Sequence, residues 1–247
     1  MDTNNQLMLQ KPRSMAAVIR DGYQLYTGNF RRLFRASWIM AIVYALAFAL
    51  MTSRLIYDVL PMAVSLSEYP LDQIEWWEVT KANWLAIASV GLFMITVLLL
   101  ASYALAACRE HKQTGNITPA AHWWGTCPRL AALMLLLKGL RWLFPRGLRH
   151  FGLLFATFIV TAIVTLLLTF FCELPGFIIG IANVKAYTGA AMGDELGMPD
   201  YLPTLTFIAF TITGFIQGYM HLSTIFPFYY AYGSIEAQEQ ERQKMKI

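Results

Sequence analysis

The chain has 247 residues, 57% of them hydrophobic and only 14% charged, where a soluble domain is about a quarter charged; an ordinary globular protein is excluded. Its net charge of +4 comes from loops flanking apolar runs, so it points to anionic lipid headgroups and not to nucleic acid. Cys108, Cys127 and Cys172 form an odd set with no readable disulfide framework.

Residues 1–13 are polar. From Ser14 to Phe34 apolar side chains recur at helical spacing (Met15, Val18, Ile19, Tyr23, Tyr26, Phe30, Phe34), with Arg20, Arg31, Arg32 and Arg35 beside them. That pattern predicts an interfacial amphipathic helix, bent or broken at Gly28-Asn29. The first apolar run, Ala36–Tyr57, reaches the ~20 residues needed to cross the hydrocarbon core. The basic region before it is too long for a cleavable signal peptide, so the run reads as a retained anchor. The loop Asp58–Asn83 is acidic, and Trp76-Trp77 and Trp84 suit the headgroup level.

Trp84–Ala107 is the second span. The connection Cys108–His150 holds a helix start at Thr118-Pro119 and an apolar stretch in Pro128–Phe144 too short to span. Lys138 and Arg141 make that stretch a second interfacial helix, with both side chains snorkelling. Cys108, His111, His122 and Cys127 form a C-x2-H…H-x4-C set of zinc-type ligands. The second half lacks the usual short cysteine pair, and no metal or other cofactor is expected.

Phe151–Cys172 is the third span. Glu173-Leu-Pro-Gly176 is expected to interrupt it, leaving Phe177–Val184 as a re-entrant or surface piece; the competing reading makes 174–193 a fifth span. The fourth run, about Pro203–Tyr232, ends in an aromatic cluster, and the charged tail 233–247 continues its helix. Small residues four apart, such as Gly214 and Gly218, permit close helix packing within the chain or in a homodimer.

Sixteen of the nineteen Lys and Arg residues fall before the first run, between the second and third, or after the fourth. Positive charge stays on the cytoplasmic face. The expectation is therefore an all-α integral membrane bundle of four transmembrane helices with both termini cytoplasmic. Its parts are an N-terminal segment 1–35, a membrane domain 36–232 and a tail 233–247. Arg31, Arg32, Arg35, Lys138, Arg141, Arg146 and Arg149 are the candidate lipid-headgroup residues. Arg54 and Glu173 are both expected near the outer boundary, where they could pair, leaving no acidic residue at mid-depth. His221 is the remaining ionisable group of interest.

Two stretches, Gly22-Tyr-Gln-Leu-Tyr-Thr-Gly-Asn-Phe-Arg-Arg-Leu-Phe and Gly115-Asn-Ile-Thr-Pro-Ala-Ala, resemble bacterial multi-pass families related to the membrane domain of glycerophosphoryl diester phosphodiesterases. The resemblance implies a bacterial inner-membrane setting and an all-helical fold, and identifies no catalytic residue. No G-x-S-x-G, H-E-x-x-H, phosphate-binding glycine loop or Rossmann fingerprint occurs. The expected function is a non-enzymatic scaffold or accessory subunit contacting membrane lipids, a membrane-protein partner or a second copy. The alternative is a small transporter or channel with a cavity near Arg54, Glu173 and His221.

Overall fold

The computed structural model describes residues 11–62, 76–114, 148–193 and 199–245. Among them there are helices and no strand. Helix α1 is Met15–Arg54, followed by a π-helical turn, Leu55–Val59. The short α2 is Trp76–Ala82, and α3 is Trp84–Thr114. A 3-10 turn, Leu148–His150, leads into α4, Phe151–Ala191; α5 is Leu202–Lys244. Helices α1, α3, α4 and α5 are each long and apolar enough to cross a membrane. The expected helices at Thr118-Pro119 and Pro128–Phe144, with Lys138, Arg141 and Arg146, lie outside the described residues.

Two expected breaks are not there. The N-terminal stripe and the first apolar run form one helix of 40 residues, about 60 Å long at 1.5 Å per residue. At Gly28-Asn29 the polar side chains turn back onto the helix. Asn29 Nδ2 donates to the Leu25 carbonyl at 3.0 Å and Thr27 Oγ1 to that of Tyr23 at 2.9 Å, so neither competes with the helical backbone. Likewise α4 runs unbroken through Pro175 for 41 residues. Proline removes one backbone hydrogen bond, but stopping the helix inside an apolar run would leave several polar groups without partners. The expected separate segment over 174–193 is therefore the second half of the third long helix.

Helix starts follow local chemistry. Ser14 caps α1, its Oγ accepting the Ala17 N–H at 3.4 Å and its carbonyl the Val18 N–H at 3.0 Å. Asn83 separates α2 from α3, and both its backbone N–H, at 3.2 Å, and its side-chain amide, at 2.9 Å, donate to the Val79 carbonyl at the end of α2.

The chain divides into two compact units. Unit 1 comprises Met1–Ile39, Leu98–Leu168 and Tyr219–Ile247. In it α1 buries Val18, Gly22, Tyr26, Leu33 and Ser37, a stripe at helical spacing. These residues face protein; Phe30 and Phe34, which the sequence puts on the same apolar stripe, are exposed. A Cβ on Gly22 would stand 2.6 Å from the backbone of Pro227, so only glycine permits this approach of α1 to α5. Tyr26 Oη donates to the Tyr219 carbonyl at 2.9 Å, and the Phe34 and Tyr219 rings stack at 5.3 Å.

Unit 2 comprises Met40–Val97 and Thr169–Gly218. Ala41, Ala45, Ala47 and Ala49 of α1 are buried, as small residues at helix contacts should be. A Cβ on Gly214 would lie 2.8 Å from the Phe48 ring and 3.2 Å from Ala45 Cα. This part of the small-residue pattern thus serves packing within the chain. Tyr44, Phe48, Phe93 and Phe210 form an aromatic cluster from three helices, with successive ring centroids 5.3 to 6.2 Å apart.

Candidate functional site

In unit 1 two sets of basic residues contrast. The first is bound into the protein. Arg13 pairs with Asp21 at 3.0 Å, and its guanidinium lies 4.8 Å from the centroid of the Tyr230 ring. Lys112 reaches Glu236 at 3.5 Å and lies 5.6 Å from the Tyr232 ring centroid. His150 Nε2 is 3.0 Å from Glu239, and Arg149 is 3.6 Å from the same carboxylate. The tail beyond residue 232 is thus docked: Ser234, Ile235 and Ala237 are buried, and Ser234 Oγ accepts the Arg13 N–H at 2.9 Å.

The second set is Arg31, Arg32 and Arg35. All three are exposed, and none forms an ion pair among the described residues. Phe30 and Phe34 are exposed between them. Trp38, Ile39, Ile42, Val43 and Leu46 follow as an exposed apolar face. Before them the larger exposed side chains of α1 are polar, Arg20, Gln24 and Thr27, with Ala16 and Gly28 also exposed. The three guanidinium groups stand just before the exposed apolar face of α1, with no ion pair among the described residues.

In unit 2, Asn183 of α4 and Thr206 of α5 are fully buried and meet Tyr57. Asn183 Nδ2 donates to Thr206 Oγ1 and to the Ile179 carbonyl, both at 2.8 Å. Tyr57 Oη donates to Asn183 Oδ1 and lies 3.0 Å from Thr206 Oγ1. This layer joins three helices and leaves the asparagine amide satisfied, the requirement for a buried polar group. Its one sequence signal is an amide inside the apolar stretch Phe177–Val184.

Arg54 and Glu173 do not pair. Arg54 holds Asp58 at 3.1 Å, one turn along the same strand of helix. Glu173 Oε1 accepts from Gln217 Nε2 of α5 at 2.8 Å. Because α4 is continuous, Glu173 sits near its middle with apolar residues on both sides, and not at a helix end. His221 belongs to unit 1 and is exposed on α5.

Of the metal-type residues, Cys108 is buried on α3, while His111 Nδ1 lies 3.2 Å from Tyr229 Oη. His122 and Cys127 lie outside the described residues. No group of three potential ligands occurs among the described residues. Lys138, Arg141 and Arg146 are likewise not described, and Arg149 is engaged with Glu239.

No known protein family, curated protein or solved structure matches this chain.

Proposed function

We propose that this chain is a non-enzymatic polytopic protein of the bacterial inner membrane that holds anionic lipid at a basic collar on its cytoplasmic side. The observation that carries the reading is the contrast within unit 1. Arg13, Lys112, Arg149 and His150 are bound to carboxylates or aromatic rings, whereas Arg31, Arg32 and Arg35 stand exposed at the start of an apolar face with no carboxylate paired to them among the described residues. Three guanidinium groups at a hydrocarbon boundary fit phosphate, which arginine holds through paired N–H donors. Each contributes about 1 kcal/mol of attraction to an anionic surface. The distribution of Lys and Arg along the sequence supports the cytoplasmic assignment of this end and of both termini. A scaffold or accessory subunit would use such a collar to fix its depth and gather lipid around its partners.

The test is lipid analysis of protein purified in mild detergent. Replacing Arg31, Arg32 and Arg35 together by Gln should lower co-purifying anionic lipid several-fold. Arg149→Gln, whose side chain is already engaged by Glu239, should change it little. Equal anionic lipid on the triple variant and the wild type would remove the basis of the reading.

A further inference from the structure

The level of Glu173 along the membrane-crossing direction follows from unit 2 alone. The exposed apolar residues of α1 extend to Leu55, and immediately beyond it Asp58 pairs with Arg54 and Tyr57 joins Asn183 and Thr206. This polar layer marks one edge of the apolar zone. Along α4 Glu173 lies ten residues from Asn183, and along α5 Gln217 lies eleven from Thr206. At 1.5 Å per residue both are about 15 Å from the layer, half the thickness of a ~30 Å hydrocarbon core. A carboxyl group at that depth marks functional chemistry by default.

Among the described residues no cation pairs with it. Gln217, a neutral amide, is its hydrogen-bond partner. Tyr44 of α1 is in electrostatic reach, α3 lays the Phe93 ring against Tyr44, and α5 places Thr213 beside Gly176, one turn from the carboxyl. Cys172 adjoins on α4 itself. Arg54 is held by Asp58, and Lys185 is twelve residues along α4, about 18 Å away. Meanwhile Gln217 Oε1 is buried and accepts no hydrogen bond among the described residues, an expensive arrangement in an apolar interior.

We propose that Glu173 and Gln217 form a proton-binding site inside the span. A proton on the carboxyl supplies the donor that Gln217 Oε1 lacks. The carboxylic O–H donates to Oε1 while Nε2–H continues to donate to the other carboxyl oxygen, so acid and amide share two antiparallel hydrogen bonds. Loss of the proton leaves the carboxylate with the single amide N–H and returns Oε1 to an unsatisfied state. The site therefore exists in two forms of different charge and different coupling between α4 and α5. A metal cation fits less well, because a hard cation takes six or more oxygens, and the pair supplies the carboxylate and one amide oxygen. This inference is independent of the lipid reading of the basic collar.

The experiment uses the full chain in phosphatidylcholine vesicles treated with dicyclohexylcarbodiimide, which adds to protonated carboxyl groups in apolar surroundings, followed by peptide mass spectrometry. Glu173 should be modified at neutral pH, several-fold less at alkaline pH, and equally with or without sodium. A recovered but unmodified Glu173 peptide at every pH would overturn the proposal. Protection by sodium at constant pH would overturn the proton assignment in favour of a metal cation. Infrared spectroscopy gives a second readout: the wild type should show a carboxylic acid C=O band that Glu173→Gln abolishes and Gln217→Leu shifts to higher frequency. A band unaffected by both substitutions would also refute the site. Should either variant fail to fold, the labelling of wild-type protein still decides.

Discussion

Single side chains decide how polar atoms are tolerated in this apolar chain. Asn183 is the clearest case: its amide spends both its donor and acceptor capacity on Tyr57, Thr206 and the Ile179 carbonyl. Asn183→Leu should lower stability by about 1–3 kcal/mol, because the Tyr57 and Thr206 hydroxyls each lose their hydrogen bond to the amide. Tyr57→Phe should cost less, and the double variant less than the sum of the two. Thermal unfolding of the four proteins in one detergent measures this; strict additivity would mean that the layer is not a network. The Asn183 position is readable in the sequence as an oddity, but its partners are 126 residues away on one side and 23 on the other, and no periodicity connects them.

At the scale of helices, two glycines of α1 have opposite roles. Gly22 lies against the backbone of Pro227, whereas nothing lies within 4 Å of a Cβ on Gly28. Gly22→Val should destabilise by about 1–3 kcal/mol through overpacking. Gly28→Ala should stabilise by up to about 1 kcal/mol through helix propensity. Denaturation midpoints of the two variants would test the packing of α1 on α5 directly, and equal effects would contradict it. The same contact explains why the N-terminal stripe is no separate surface helix. Val18, Gly22 and Tyr26 bury against protein, so the amphipathic pattern was legible but not what it faced. Periodicity reports that one side of a helix avoids water; it does not distinguish lipid from neighbouring side chains.

For the molecule as a whole, the proposed four-span topology puts both ends of the chain on one side of the membrane. In a background with the three cysteines replaced by Ser, Lys81→Cys should react with an impermeant maleimide in intact spheroplasts, and Gln240→Cys only after lysis. Labelling of both residues in intact cells, or the reverse pattern, would demand an odd number of spans or the inverted orientation.

Helical class, four membrane-length helices and the uneven distribution of basic residues are decided by local composition: a backbone in an apolar run must satisfy its own hydrogen bonds, and helix is the way a single segment does so. What only the tertiary structure decided is which charges are already spent and where the polar side chains stand along the helices. Arg149 and Arg31 look alike in sequence, yet one meets Glu239 and the other meets no carboxylate among the described residues. Glu173 beside a proline looked like a span end, and continuity of α4 through Pro175 moved it to the interior. Both distinctions depend on contacts between residues far apart in the chain, and local patterning carries no information about those.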